Sequence, residues 1–187
     1  SMYSLSLGDM LGKYKIESRL GRGGMGEVYL ARHTTLEVPR AIKLLPAEIM
    51  GRDPQFVDRF IREAKLACSI RHANVVNVMD VEKDDERGFC YIVMEYVDGG
   101  NVRDIMRSSK ILSEQQASVI IAGVAEALAA AAEFKIVHRD IKPDNIMLTK
   151  RGDVKLADLG IAKTTAEDVS LTVSHVMMGT PAYLSPE

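Results

Sequence analysis

Apolar side chains recur at strand-like intervals through the first half of the chain. Residues 14–20 alternate apolar and polar positions, and residues 27–31, 39–45, 75–81 and 89–93 are further short segments rich in apolar residues. Such segments predict β-strands, in which every second side chain faces the same side of a sheet. An acidic turn at 82–88 separates the last two segments, and residues 2–13 predict only a lead-in strand or arm.

Two segments show helical spacing instead. Asp53 and Pro54 predict a helix start, and apolar residues then recur at positions 56, 60, 61, 64, 67 and 68. Ser113 and Gln116 have the spacing of a capping box ahead of an alanine-rich helix that reaches Glu133. One face of this second helix is predicted to carry Val119, Ile120, Val124, Leu128 and Ala131 or Ala132.

Composition indicates a soluble globular protein. The 187 residues are 47% hydrophobic and 27% charged, with a formal net charge of −2, so nothing favours nucleic acid or an anionic membrane as a partner. The two cysteines have no metal-binding spacing. Because there are only two, a disulfide framework is disfavoured and a reducing compartment is favoured. The longest apolar stretch, 117–132, contains Ser118 and Glu126, and we predict a soluble helix there rather than a membrane segment.

A glycine-rich turn lies between the first two predicted strands. Gly21, Gly23, Gly24 and Gly26 are followed by Val28 at the start of a strand. Without side chains, the backbone N–H groups of such a turn can approach phosphate oxygens closely. An ordinary glycine hairpin remains an alternative. A dinucleotide fold is disfavoured because it needs a helix, not a strand, after the turn.

A loop within residues 137–148 carries the clearest chemistry. Asp140, Lys142 and Asn145 lie within six positions, between two apolar runs, and Pro143 is predicted to keep the loop from being helical. Phosphoryl transfer needs a carboxylate for the attacking hydroxyl, an amine for the moving phosphate and an amide oxygen for a metal ion. The alternative is a charged surface loop.

The order V-H-R-D-I-K-P-D-N resembles the catalytic loop of eukaryotic-type (Hanks-type) protein kinases, and Lys142 resembles their serine/threonine branch. The glycine-rich sequence G-R-G-G-M-G-E-V-Y resembles that of bacterial members of this family. The resemblance implies an α+β bilobal fold. Residues 1–97 would form a small lobe of antiparallel strands plus helix αC, and residues 98–187 an incomplete helical large lobe.

The resemblance also implies roles for individual residues. Lys43 would hold the α- and β-phosphates of ATP, with Glu63 of αC as its partner. Asp140 would accept the proton of the acceptor hydroxyl and Lys142 would neutralise the γ-phosphate. Asn145 and Asp158 would bind Mg²⁺ or Mn²⁺, Asp158 in a D-L-G sequence after a predicted strand at 153–157.

An ATP pocket is implied between the glycine turn and the segment that joins the lobes. Val28, Ala41 and Met147 would enclose the adenine ring. Met94 would be the gatekeeper, and the backbone at Glu95 and Val97 would contact adenine. The full implied set is Leu20, Gly21, Gly23, Gly24, Gly26, Val28, Ala41, Lys43, Met94, Glu95, Val97 and Met147.

The last residues resemble a kinase activation segment, which ends in G-T-P-A-Y-L-S-P-E. Thr180 would help select serine or threonine acceptors. Arg139 before Asp140 is the arrangement of kinases that are switched by phosphorylation in this segment, since Arg can grip a phosphate. Thr172 and Ser174 are the predicted phosphorylation sites.

The resemblance leads us to expect further large-lobe helices after Glu187 and therefore a truncated domain. The apolar face of the helix from Ser113 would then be exposed and favour a homodimer, and the fragment would be weakly active or inactive. Autophosphorylation, protein substrates and a cytoplasmic location, with a parent protein that is membrane-anchored in many relatives, are also implied.

Two other readings are less well supported. A non-catalytic nucleotide-binding module would usually lack Lys43, Asp140 or Asp158, and all three are present. A small-molecule kinase of the same fold would lack the activation-segment ending at 180–187.

Overall fold

All long strands of the structure belong to one antiparallel sheet. A computed structural model describes residues 5–23, 26–45, 51, 54–108, 111–134 and 141–157. The strands are β1 (Met10–Leu11), β2 (Tyr14–Gly23), β3 (Gly26–His33), β4 (Pro39–Leu45), β5 (Val78–Asp84) and β6 (Phe89–Glu95). Their order across the sheet is β1-β2-β3-β4-β6-β5. This is the small-lobe sheet that the resemblance implied.

Both faces of the sheet are covered, which explains why every residue from Ala41 to Leu45 is buried. The inner face packs on helix α1 (Pro54–Ser69), the helix that the resemblance labels αC. Ala41 and Leu45 lie on that face with Phe60 of α1. The outer face carries a second apolar cluster, consisting of Leu11, Ile16, Tyr29, Ala31, Ile42, Leu44, Tyr91 and Val93.

Residues 5–11 form an arm over this outer face. Leu5 packs against the outer cluster and Leu11 is fully buried in it. The arm is held by backbone hydrogen bonds, in which Gly8 N–H donates to Ile16 O at 2.9 Å and Ile16 N–H donates to Asp9 O at 2.9 Å. The lead-in arm expected from the sequence is therefore present and is an integral part of the sheet.

Strand β5 starts later than predicted. Val75 is not in it, but forms an isolated parallel bridge to Leu156 of β8 (Val154–Leu156). Val76 N–H donates to Leu156 O at 2.9 Å, and Leu156 N–H donates to Asn74 O at 2.8 Å. The apolar residues at 75 and 76 therefore serve a second, small sheet of β7 (Ile146–Leu148) and β8. Strand β5 instead extends through Asp84, three residues into the predicted acidic turn.

Two short helical elements differ from the predictions. Helix α2 (Val102–Arg107) was not predicted; Asn101 caps it by accepting a hydrogen bond from Asp104 N–H. The expectation that Pro143 keeps its loop from being helical is wrong, because residues Pro143–Asn145 form a 3₁₀ turn. Proline stands at the first position of this turn, where its missing N–H removes no hydrogen bond.

Helix α3 (Glu114–Glu133) begins at the predicted capping box. Ser113 Oγ accepts from Gln116 N–H at 3.1 Å, and Gln116 Oε1 accepts from Ser113 N–H at 2.9 Å. Its predicted apolar face is partly wrong, since Val119 is 50% exposed and Ala132 is exposed. Small residues form the contact with β8 instead, and the buried set is Ile120, Gly123, Ala127 and Ala131.

By length and hydropathy alone, α3 also qualifies as a candidate membrane span. Its most apolar 18-residue window has a mean hydropathy of 1.3, and 22% of that window is buried. Core helices of soluble domains meet the same criterion, and α3 packs its small residues on β8. Its length and hydropathy are therefore weak evidence for a membrane-spanning segment. In the described part of the chain, α3 is the one helix that qualifies.

Candidate functional site

The glycine-rich hairpin lies at the end of β2 and β3. Gly23 and Gly26 form the last strand pair, so the hairpin is tight; Gly24 lies outside the described residues. The pairing of β2 with β3 has two register irregularities, one between Ile16 and Ser18 and one between Arg19 and Gly21. Such irregularities bend and twist a strand and change the direction of the hairpin.

Lys43 is a buried charge on the inner face of the sheet. It lies in β4 directly opposite Val28 of β3, and 8% of its surface is exposed. A buried ammonium group is rare in a protein and costs free energy unless it has a polar or charged partner. Glu63, the predicted partner, falls within α1, but its side chain lies outside the described part of the structure.

The predicted adenine-binding residues are brought together around Lys43. Ala41, Met94 and Val97 are buried members of the inner-face cluster, and Val28 and Met147 pack against it. Met147 comes from β7 while Ala41 and Met94 come from β4 and β6, so the cluster joins the large sheet to the small one. Leu20, also predicted here, is 46% exposed in β2.

The Glu95 side chain holds the segment that follows Met94 in place. Glu95 ends β6 and its Oε1 atom accepts hydrogen bonds from Asn77 N–H at 2.9 Å and Lys155 Nζ at 3.2 Å. The Glu95 N–H donates to Asn77 O at 2.9 Å and is therefore engaged within the fold. Lys155 lies in β8, directly opposite Met147, so this ion pair ties the segment to the small sheet.

Replacing Lys155 by methionine is expected to destabilise the fold by about 1 kcal/mol, because the half-buried pair loses its cation while Glu95 keeps the Asn77 N–H. Urea unfolding measures the change. Lys150→Met, at an exposed turn position, is the control. If Lys155→Met destabilises a Glu95→Gln background as much as the wild type, the two side chains are not coupled.

The residues after Val97 contact β7 closely. Leu148 N–H donates to Gly100 O at 2.9 Å, and Lys150 N–H donates to Asp98 Oδ1 at 2.8 Å. Gly99 lies so near β7 that an added Cβ would stand 2.3 Å from Leu148 O. The chain therefore passes from the large sheet to α2 directly against the strand that carries Met147.

The described end of the predicted catalytic loop is fixed next to β8. Asn145 N–H donates to Lys142 O at 2.9 Å, and Ala157 N–H donates to Asn145 O at 2.8 Å. Asn145 and Asp158 are the two predicted metal ligands, and Ala157 immediately precedes Asp158. The backbone of Asn145 is therefore hydrogen-bonded to the residue before Asp158. Asp140 and Asp158 themselves lie outside the described residues.

No metal site can be assembled from the described residues alone: among them, no group of three or more His, Cys, Asp or Glu side chains is placed to hold a metal ion. The predicted phosphorylation sites Thr172 and Ser174, and Arg139 and Thr180, also lie outside the part of the chain that the structure describes.

One ion pair beside the 3₁₀ turn was not predicted from the sequence. Arg103 of α2 lies with its Nη1 atom 2.5 Å from Asp144 Oδ2, in the 3₁₀ turn next to Asn145. The two residues are 41 positions apart, and no local pattern pairs them. Only the unpredicted helix α2 places Arg103 beside the loop.

Three comparisons with known proteins agree with this geometry. The protein kinase domain family matches residues 14–187. The chain is 43% identical over 179 residues to a probable serine/threonine-protein kinase of Streptomyces coelicolor, covering 94% of this chain and 26% of that protein. It is likewise 43% identical to the serine/threonine-protein kinase PknB of Mycobacterium leprae, covering 94% of this chain and 28% of PknB.

Solved structures show the same fold. The kinase domain of Mycobacterium tuberculosis PknI superimposes with a TM-score of 0.73 at 34% identity, covering 85% of this chain and 62% of the PknI chain. The chain therefore spans about a quarter of the length of the curated relatives it matches and under two thirds of the PknI domain.

Proposed function

Because this chain belongs to the protein kinase domain family, we propose that it is the ATP-binding and catalytic part of a protein serine/threonine kinase. The reaction would transfer the γ-phosphate of ATP to serine and threonine hydroxyls of proteins. The observation that carries the proposal is the buried Lys43, which lies opposite Val28 and beside the apolar cluster of Ala41, Met94 and Met147. Apolar side chains beside a buried cation suit a planar base that carries phosphates.

The residues present fit ATP and a divalent metal. The carbonyl oxygen of an Asn side chain and a carboxylate are the hard oxygen ligands that Mg²⁺ or Mn²⁺ prefers, and Asn145 and Asp158 would supply them. The metal, when bound, neutralises charge on the phosphates. Gly21, Gly23, Gly24 and Gly26 would cover the phosphates with backbone N–H groups, and the main chain at Glu95 and Val97 would meet adenine.

In the proposed mechanism, Lys43 orients the α- and β-phosphates and Glu63 holds Lys43. Asp140 takes the proton of the acceptor hydroxyl as its oxygen bonds to the γ-phosphorus. The bond between that phosphorus and the bridging oxygen of ADP breaks, and Lys142 neutralises the charge on the transferred group. The Arg103–Asp144 ion pair would keep the 3₁₀ turn, and with it Asn145, in place.

We propose the lobe boundary at residues 97 and 98, where β6 has ended and the contact with β7 begins. Thr172 and Ser174 are the proposed autophosphorylation sites. A cytoplasmic kinase domain and a homodimer through the exposed side of α3, which carries Val119 and Ile121, complete the proposal.

The test is incubation with γ-labelled ATP, Mg²⁺ and casein as acceptor. We expect label on serine and threonine, including positions between 164 and 180 of the chain itself. Asp140→Asn is expected to lower transfer by about a hundredfold or more, because it removes the proton acceptor. Asp85→Asn, at an exposed turn, is the control. Binding of nucleotide without transfer to any acceptor, both by this chain and by a longer chain that spans the whole kinase domain, would favour the non-catalytic module instead.

A further inference from the structure

A buried polar network links the N-terminal arm to the strand that leaves the glycine hairpin. Tyr29, 1% exposed on the outer face of β3, donates its hydroxyl hydrogen to a Glu27 carboxylate oxygen. The same hydroxyl accepts a hydrogen bond from Leu5 N–H of the arm at 3.1 Å. Arg19 of β2 places Nη1 3.9 Å from the other Glu27 oxygen.

Glu27 is placed at the base of the hairpin. It follows Gly26 directly, pairs with Arg22 on β2 and with Leu44 on β4, and is buried. The next residue, Val28, lies opposite Lys43 on the inner face. The two bulges of β2 fall just before this point, where the ladder is least regular. Any movement of Glu27 is therefore passed to both the hairpin and the Val28–Lys43 pair.

A buried carboxylate is costly unless donors surround it, so the Tyr29 hydroxyl fixes the position of Glu27. Burial, followed by the hydrogen bond to Glu27, raises the pKa of Tyr29 above its ordinary value. The hydroxyl consequently remains a donor throughout the neutral and mildly alkaline range. The arm completes the arrangement, because Leu5 N–H donates to the Tyr29 hydroxyl oxygen while that hydroxyl donates to Glu27.

We propose that residues 5–11 and the Tyr29–Glu27 pair are positioning elements that hold the base of the glycine hairpin and thereby set nucleotide affinity. The inference rests on the proposed function, since it assigns the hairpin to the phosphates of ATP. The contact lies on the face of the sheet opposite the nucleotide slot, so these residues would act without touching the ligand.

The structure offers a matched control. Tyr91 donates to Glu82 Oε2 at 2.6 Å on the same outer face, and it too is buried, but it joins β6 to β5 at the far side of the sheet. Tyr29→Phe and Tyr91→Phe therefore delete the same hydroxyl from equivalent surroundings. Tyr91 also packs in the outer cluster near Leu11, but only the first deletion removes a hydrogen-bond partner of Leu5 in the arm and of Glu27 at the base of the hairpin.

The experiment titrates the 187-residue chain with a non-hydrolysable ATP analogue and Mg²⁺, and measures the Tm of each variant. Tyr29→Phe is expected to weaken binding by about three- to tenfold, the equivalent of one ordinary hydrogen bond. In a kinase assay, KM for ATP should rise by a similar factor with little change in kcat. Tyr91→Phe should lower the Tm without changing the affinity.

Leu5→Pro removes the arm's N–H donor and serves as a second route if Tyr29→Phe does not fold. It should weaken binding in the wild type and add little in the Tyr29→Phe background. Amide hydrogen exchange of a peptide covering residues 21–28 should be faster in both variants, with or without nucleotide.

Three outcomes overturn the inference separately from the proposed function. Equal analogue affinity in wild type, Tyr29→Phe and Leu5→Pro, or equal losses in Tyr29→Phe and Tyr91→Phe, rejects the arm as a positioning element while leaving the kinase proposal intact. A wild-type chain that binds no analogue rejects the kinase proposal and the inference together. Unchanged exchange of residues 21–28 rejects the link from arm to hairpin without reference to nucleotide.

Discussion

Replacing Lys43 by methionine is expected to lower phosphoryl transfer by about a hundred- to a thousandfold, the usual effect of removing one preorganised charge from a reaction centre. The amine lies on the inner face of β4 between Ala41 and Leu45, opposite Val28. Methionine has a similar length and is apolar, so it can fill this space and keep the strand packing. The expected loss is therefore chemical rather than structural.

Transfer to casein and thermal unfolding, measured on the same preparation, separate the two effects. Lys83→Met is the matched control, because Lys83 is an exposed lysine of β5 in the same sheet. Full transfer by a folded Lys43→Met chain would remove Lys43 from the site. A chain that unfolds would be followed by Lys43→Arg, which retains the charge with different geometry and should still lose most of the activity.

Replacing Gly99 by alanine is expected to destabilise the protein by about 2–3 kcal/mol, as overpacking against rigid atoms does. The new Cβ would stand 2.3 Å from Leu148 O and 2.8 Å from both C and O of Thr149. These are backbone atoms, so no rotamer change can relieve the contact. The chain between β6 and α2 would have to move away from β7, and the proposed adenine-binding residues around Met147 would be displaced.

Urea unfolding and analogue binding both measure this change. Gly100→Ala is the neighbouring control: its backbone has φ +80°, with nothing within 4 Å of an added Cβ. Only the left-handed strain of about 1 kcal/mol should appear there. Equal destabilisation by the two substitutions would mean that the close approach to β7 costs no more at position 99, where φ is not in the left-handed region, than the left-handed strain costs at position 100.

Local patterns in the sequence predict the elements that have a clear period and clear ends. Strand β4 was predicted with its observed bounds, 39–45, and α1 and α3 begin where Pro54 and the Ser113 capping box indicate. The resemblance named Val28, Ala41, Met94 and Met147, and the structure brings these strand residues into one apolar cluster. Periodicity sufficed for these elements, whereas the bilobal fold and the roles of individual residues were implied by the resemblance.

Features that depend on distant partners were missed. The start of β5 moved because residues 74–76 pair with β8, some 80 positions later. Likewise the buried face of α3 follows small residues, since Gly123 lies against Val154 and a larger side chain would not fit there. The Glu95–Lys155 and Arg103–Asp144 ion pairs arise only when separate elements meet. Periodicity holds no information about such contacts.

The pairing of residues 74–76 with β8 has a mechanical consequence. Among the described residues, hydrogen bonds join the large sheet to the small one at two places: at this pairing, and along the stretch from Glu95 to Gly100 that lies on β7. Two points of attachment define a line. A change in the distance between Ala41 and Met147 then amounts to a hinge rotation of one sheet relative to the other about that line. Sliding or twisting of one body across the other would break hydrogen bonds at one attachment or the other.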